Sequence, residues 1–283
     1  MVESIRELRE ICQKKYKEFR RGYPIWELLD RKISIYFTKL FLCAKITANQ
    51  ATLIATIVGV IATVFLATGP SWCPIIGALL LRLWSILDCT DGEIARYRKT
   101  FGVTGGYVDR LNNAVVEPLI FMGLTIRAYD TFNDPLVFIF GFLASISALQ
   151  IKLAIYETYA AVLDAYFHSE KTENAPEKDL EATNILPHLK GHSSFFYAIV
   201  QNFLPGGFIM LSMLLVASVI DFLIPSITFG GFTFNLTYLF LIAYGALLPL
   251  GFLGLVFVLL RQRSPEKIYC ALISRKQKLN ECK

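Results

Sequence analysis

Several stretches of this chain run for about eighteen residues or more without a charged side chain, and runs of that length match the hydrocarbon core of a bilayer. They overrule the one or two soluble domains that 283 residues would otherwise admit. With 54% hydrophobic residues, the chain reads as an all-α integral membrane protein. Six transmembrane helices are expected, preceded by an N-terminal amphipathic juxtamembrane helix.

The spans fall at about 50–68, 73–96, 107–128, 135–163, 203–224 and 235–261. The first, Gln50 to Thr68, is 19 residues, about 28 Å as a helix and just enough to cross. Residues 1–46 form N-terminal cytoplasmic and interfacial helices, 47–262 the six-helix membrane domain, and 263–283 a basic tail. In the N-terminal segment Ile5, Leu8, Ile11 and Tyr16 recur at roughly helical spacing among nine Lys/Arg in the first 33 residues, which predicts a helix lying on the membrane surface. Pro24 separates it from a second, interfacial stretch that runs to Ile46.

Charge sets the orientation. The links Gly69–Trp72, Tyr129–Asp134 and Ile224–Phe234 contain no Lys or Arg, whereas the N-terminal arm, the 97–106 link, the 164–202 loop and the tail from Arg261 hold most of them. Basic loops favour the cytoplasmic side, so both termini are expected there. The net charge of +5 is accounted for by these arms beside anionic lipid, and nothing calls for nucleic acid. No cleavable signal peptide is expected, because the first 30 residues lack an apolar core. Six scattered cysteines without a CxxC pair argue against a zinc site or disulfide framework. His188 and His192, in a polar loop with Gly191 between them, read as a chance pair.

One stretch breaks the apolar pattern: "DCTDGEIARYRKTFGVTGGYVDRLNN", Asp88 to Asn113. Asp88 and Asp91 stand i,i+3 at the end of the second span and share a helical face. Asp109 opens the third, with Asn113 and Glu117 following on one face. Antiparallel neighbours bring those faces together at the cytoplasmic boundary. A carboxylate at membrane depth costs about 2.5 to 3.5 kcal/mol on insertion scales, so a cluster must be neutralised. Salt bridges with Arg96, Arg98 and Arg110 are one way. Hard divalent cations, which prefer oxygen ligands and combine carboxylates with phosphate oxygens, are another. The adjacent Gly92, Gly102, Gly105 and Gly106 favour the second, since glycine admits a ligand or a neighbouring backbone closely.

The stretch resembles the signature of the CDP-alcohol phosphotransferases, Asp-x₂-Asp-Gly-x₂-Ala-Arg-x₈-Gly-x₃-Asp-x₃-Asp. Here it reads Asp88, Asp91, Gly92, Ala95, Arg96, Gly105, Asp109 and then Asn113, seven of the eight fixed positions. Upstream, "ITANQATL" (Ile46–Leu53) is similar to the family's Pro-Asn-x-x-Thr element, with Ala48 where proline is usual. The resemblance implies attack by an acceptor alcohol on a CDP-linked donor at the membrane surface, forming a phosphodiester and releasing CMP. One of the two substrates is lipidic, which places the reaction in phospholipid or related polar-lipid biosynthesis. It further implies that Asp88, Asp91 and Asp109 hold Mg²⁺ or Mn²⁺, expected as two ions. Gly92, Ala95, Arg96 and Gly105 would then line the nucleotide and diphosphate, and Asn49 and Thr52 the nucleotide pocket. A homodimer is admitted.

Asn113 departs from the family, whose last aspartate is taken as the general base. Asn113 can still be a neutral metal ligand. Glu117, one turn deeper, is the candidate base, the other reading being an ion pair with a buried Arg82 or Lys152. A prenyltransferase with Asp-rich helices fits less well, because it needs two separate acidic motifs. The alternative of a different class is a catalytically degenerate, non-enzymatic membrane subunit.

Overall fold

The computed structural model describes residues 3–18, 25–100, 102–170, 203–229, 231–261 and 263–270. The polar segment with His188 and His192, and Cys282, lie outside the described residues. The chain is an all-α membrane protein. Its helices are α1 (Ile5–Glu18), α2 (Ile25–Cys43), α3 (Ala48–Ala67), α4 (Cys73–Arg98), α5 (Val103–Phe132), α6 (Leu136–Glu170), α7 (Phe208–Leu223) and α8 (Leu236–Arg261).

α3 to α8 stand at the six expected spans. Four of them, α3, α4, α6 over Leu136–Tyr166 and α8, are long and apolar enough to cross a membrane. α5 falls outside that group because Asp109, Arg110, Glu117 and Arg127 interrupt it. α7 has 16 residues, about 24 Å of helix against an apolar core of about 30 Å. Two details differ from the expected layout. α6 continues past 163 to Glu170, and the Ile224–Phe234 link carries a short antiparallel hairpin, β1 (Ile227–Phe229) with β2 (Phe232–Phe234). Alternating Ile, Thr and Phe in that link favour extended backbone.

Local signals set the boundaries. Thr47 and Gln50 form a reciprocal capping box at the start of α3. Pro74 occupies the first turn of α4, where a missing N–H costs nothing. Lys99, at φ 55, closes α4 in the left-handed region, and Asn133, at φ 52, does the same for α5.

α3 is the centre of the bundle, packed along α4 and α5, while α6 joins α5 to α8. The seams are lined by glycines where backbones meet. A Cβ on Gly77 would lie 2.8 Å from the Ala62 carbonyl oxygen, and one on Gly123 would lie 2.8 Å from that of Thr63. Close backbone approach at small residues is how helices associate in lipid, where no hydrophobic force drives them together. Trp84, Phe121, Leu81 and Ile120 fill the interior, whereas Leu53, Ile57, Leu250 and Phe257 point outward, as lipid-facing positions do.

α1 does more than lie on a surface. Leu8 and Cys12 are fully buried, and α1 and α2 both pack on α4. α2 is fixed by an ion pair between Asp30 and Arg82 at 2.5 Å, with Ser85 donating to the same carboxylate.

Candidate active site

α4 ends at Arg98 and α5 begins at Val103, and both pack along α3. Carboxylate oxygens of Asp88, Asp91 and Asp109 thereby come within 4.8 Å of one another. Three like charges at that separation repel strongly where water is scarce. A donor set made only of carboxylate oxygens suits a hard divalent cation.

Helix α3 and the third turn of α5 orient this triad. Thr52 donates its hydroxyl to Asp91 Oδ2 at 2.6 Å, and the Gly92 backbone N–H reaches Asp91 Oδ1. Asn112 donates its amide to Asp88 Oδ1 at 2.7 Å. Its own oxygen accepts from Thr56 Oγ1 at 2.9 Å and Trp84 Nε1 at 3.0 Å. Such bonds fix which lone pairs a carboxylate offers to an ion.

The remaining expected residues are distributed around this centre. Asn49, at the exposed start of α3, faces Gly105: a Cβ on that glycine would lie 3.6 Å from Asn49 Oδ1. Arg96 lies back over Gly92, whose Cβ would meet Arg96 Nη1 at 3.2 Å, and its Nε donates to the Cys12 carbonyl of α1 at 2.7 Å. Ala95 lies near the end of α4, its carbonyl accepting from Thr100 N–H at 3.1 Å. Arg110 lies 5.1 Å from the Tyr156 ring. Asn113 donates Nδ2 to the Asp109 carbonyl at 3.1 Å.

Glu117 is 2% exposed and pairs with Lys152 of α6 at 2.5 Å. Of the two roles expected for it, this geometry is that of the ion pair, and Lys152 rather than Arg82 is the partner. Gly206, at φ +78, makes room for the pair, since a Cβ there would sit 2.7 Å from Glu117 Oε1. Two residues near the motif were not anticipated. Asn112 falls at a variable position of the signature, and so does Glu93, which is fully buried on the side of α4 facing α1 and α2.

Comparison with known proteins agrees with this geometry. Residues 45–173 match the model of the CDP-alcohol phosphatidyltransferase family. The chain is 32% identical over 151 residues to the bifunctional IPC transferase and DIPP synthase of Thermococcus kodakarensis, covering 53% of this chain and 33% of the relative. It is 33% identical over 113 residues to the protein of the same name from Archaeoglobus fulgidus, covering 40% of this chain and 22% of the relative. The chain thus spans about a third or less of the relatives it matches. The fold and site define a helical membrane protein with an acidic, oxygen-rich centre. That centre lies within residues 45–173, the stretch that matches the CDP-alcohol phosphatidyltransferase family model.

Proposed function

We propose that the protein is a metal-dependent membrane transferase. It moves a substituted phosphate group from a CDP-linked donor to an acceptor alcohol and releases CMP. The observation that carries this reading is the convergence of Asp88, Asp91 and Asp109, from α4 and α5, within 4.8 Å.

Asp88, Asp91 and Asp109 would hold two divalent ions, Mg²⁺ or Mn²⁺, with the Asn113 side-chain oxygen as a neutral ligand. Bound there, such ions neutralise the diphosphate and acidify an acceptor hydroxyl. Thr52 and Asn112 hold the carboxylates in register. Arg96 sets a fixed positive charge beside the phosphates, and Asn49 with Gly105 borders the nucleotide. The acceptor oxygen forms a bond to the phosphorus that bears the donor's alcohol. The bond from that phosphorus to the CMP oxygen breaks, and CMP leaves with the electron pair. With no aspartate at position 113 to take it, the hydroxyl proton passes to solvent water, and the Glu117–Lys152 pair balances charge beneath the site. The basic arms put the site and both termini on the cytoplasmic side.

The test is incubation of the purified chain with Mg²⁺ or Mn²⁺ and a panel of CDP-linked donors and alcohols, scoring CMP. Release that requires both metal and acceptor is expected. A folded protein that releases no CMP under any combination would favour the non-enzymatic subunit instead.

A further inference from the structure

The arm that precedes the first span is bolted to α4 by a carboxylate inside the motif. Glu93 is fully buried. Its Oε1 accepts from Gln13 Nε2 at 2.8 Å and Ser34 Oγ at 2.8 Å, and its Oε2 accepts from Thr38 Oγ1 at 2.6 Å. Gln13 Nε2 also donates to the Arg31 carbonyl at 2.7 Å, joining α1 to α2 at the same point. A buried carboxylate is tolerated only when its lone pairs are used in this way. One residue before Gln13, the Cys12 carbonyl accepts from Arg96 Nε at 2.7 Å. Cys12 takes part through its backbone carbonyl.

Arg96 is thus held from two sides. α1 fixes its Nε, and the bare Cα of Gly92 leaves room for its Nη1. A side chain with several rotatable bonds is expensive to immobilise, and a fixed guanidinium fork loses less on binding a phosphate.

We propose that the N-terminal arm is part of the donor site, with Glu93 and Gln13 as positioning residues that seat α1 so that the Cys12 carbonyl aims Arg96 at the donor's phosphates. This rests on the reading of Arg96 as a diphosphate contact. Glu93 lies two positions beyond Asp91, about 200° around the helix, so the arm acts from the side of α4 away from the metal ligands.

The test uses the full chain and a double-mutant cycle. Gln13→Leu should raise KM for the CDP donor on the order of tenfold, leaving kcat and the Mn²⁺ dependence within about twofold. Thr38→Val should act in the same direction, and Thr38→Ser, which keeps the hydroxyl, should restore the wild-type KM. In an Arg96→Lys background, Gln13→Leu should add nothing further. An unchanged donor KM, a fully additive effect in that background, or a parallel fall in kcat and metal affinity would each overturn the proposal. Calorimetric titration of CMP in the presence of Mn²⁺ separates the two levels. Wild type that does not bind CMP removes the transferase reading itself, and equal CMP binding by wild type and Gln13→Leu removes only the role of the arm.

Discussion

Asn112 donates its side-chain amide to Asp88 while its oxygen takes hydrogen bonds from Trp84 and Thr56. One buried amide on α5 therefore registers α3, α4 and α5 against each other at the depth of the three aspartates. Replacing it by Leu strands the indole N–H and the threonine hydroxyl, at about 1–3 kcal/mol for each unsatisfied buried group. It also releases Asp88. Asn112→Leu is expected to lower the melting temperature in detergent and to raise the Mn²⁺ concentration for half-maximal CMP release about 10–100-fold. If half-saturation stays at the wild-type concentration, Asp88 needs no such orientation.

Asp91 is the most enclosed member of the triad, 9% exposed and bonded by Thr52. Asp91→Asn should abolish turnover and leave the solubilised protein folded, because it relieves repulsion among the three acids. Thr52→Val should keep turnover but weaken metal dependence about 10–100-fold. Full activity in Asp91→Asn would remove the metal site. Loss of fold in that variant would instead point to a structural salt-bridge role for the aspartate.

The Glu117–Lys152 pair is buried, so removing one partner leaves an uncompensated charge at a cost of about 3–5 kcal/mol. Glu117→Gln and Lys152→Met should each destabilise strongly. Glu117→Leu combined with Lys152→Met should recover much of the loss. The rate separates this from a base role, which is typically worth about 10²–10⁴-fold. Glu117→Gln should fall short of that range, and Asn113→Asp should raise kcat. A loss of hundredfold or more with unchanged melting temperature would return Glu117 to the role of base.

Packing along the central helix makes a sharp contrast between two glycines. Gly123→Ala drives a methyl toward the Thr63 carbonyl, whereas nothing lies within 4 Å of a Cβ at Gly251. The first should cost about 1–3 kcal/mol, as overpacking does, and the second should leave the melting temperature where it was. Equal effects would mean that the α3–α5 seam can part.

For the arrangement across the membrane, Trp72→Cys should react with an impermeant thiol reagent from outside the cell, in a background lacking other exposed cysteines. Ala175→Cys should react only after permeabilisation. Labelling at 175 in intact cells contradicts cytoplasmic termini.

How far the chain could be read in advance depended on whether a feature is periodic. Span positions follow from run length, which is why α3, α4 and α8 begin within about two residues of their expected starts. The triad follows from i,i+3 spacing plus a short link, and Thr52 and Asn49 from the resemblance of Ile46–Leu53 to the family's Pro-Asn-x-x-Thr element. Asn112 has no comparable signature, since an amide inside a helix acquires its role only from the three helices that close around it. Glu93 reads as one more acid in a charged stretch, and its partners lie 80, 59 and 55 residues away. Lys152 was one of two cations that could reach Glu117, and only the packing of α6 on α5 decides between them. The hairpin was missed because three-residue strands carry too little alternation to register.

The order in which the site's parts occur along the chain has a consequence for biogenesis. Thr52, Asp88, Asp91, Asp109 and Asn112 lie within 61 residues on α3, α4 and α5, with contacts between adjacent spans. A nascent chain delivers them to the bilayer consecutively, so the acids can meet their hydrogen-bond donors as soon as α5 is inserted. Lys152 and Gly206 come later, which makes the lower half of the charge balance the last to be completed. A chain truncated after α5 would therefore be expected to hold metal yet leave Glu117 without its Lys152 partner.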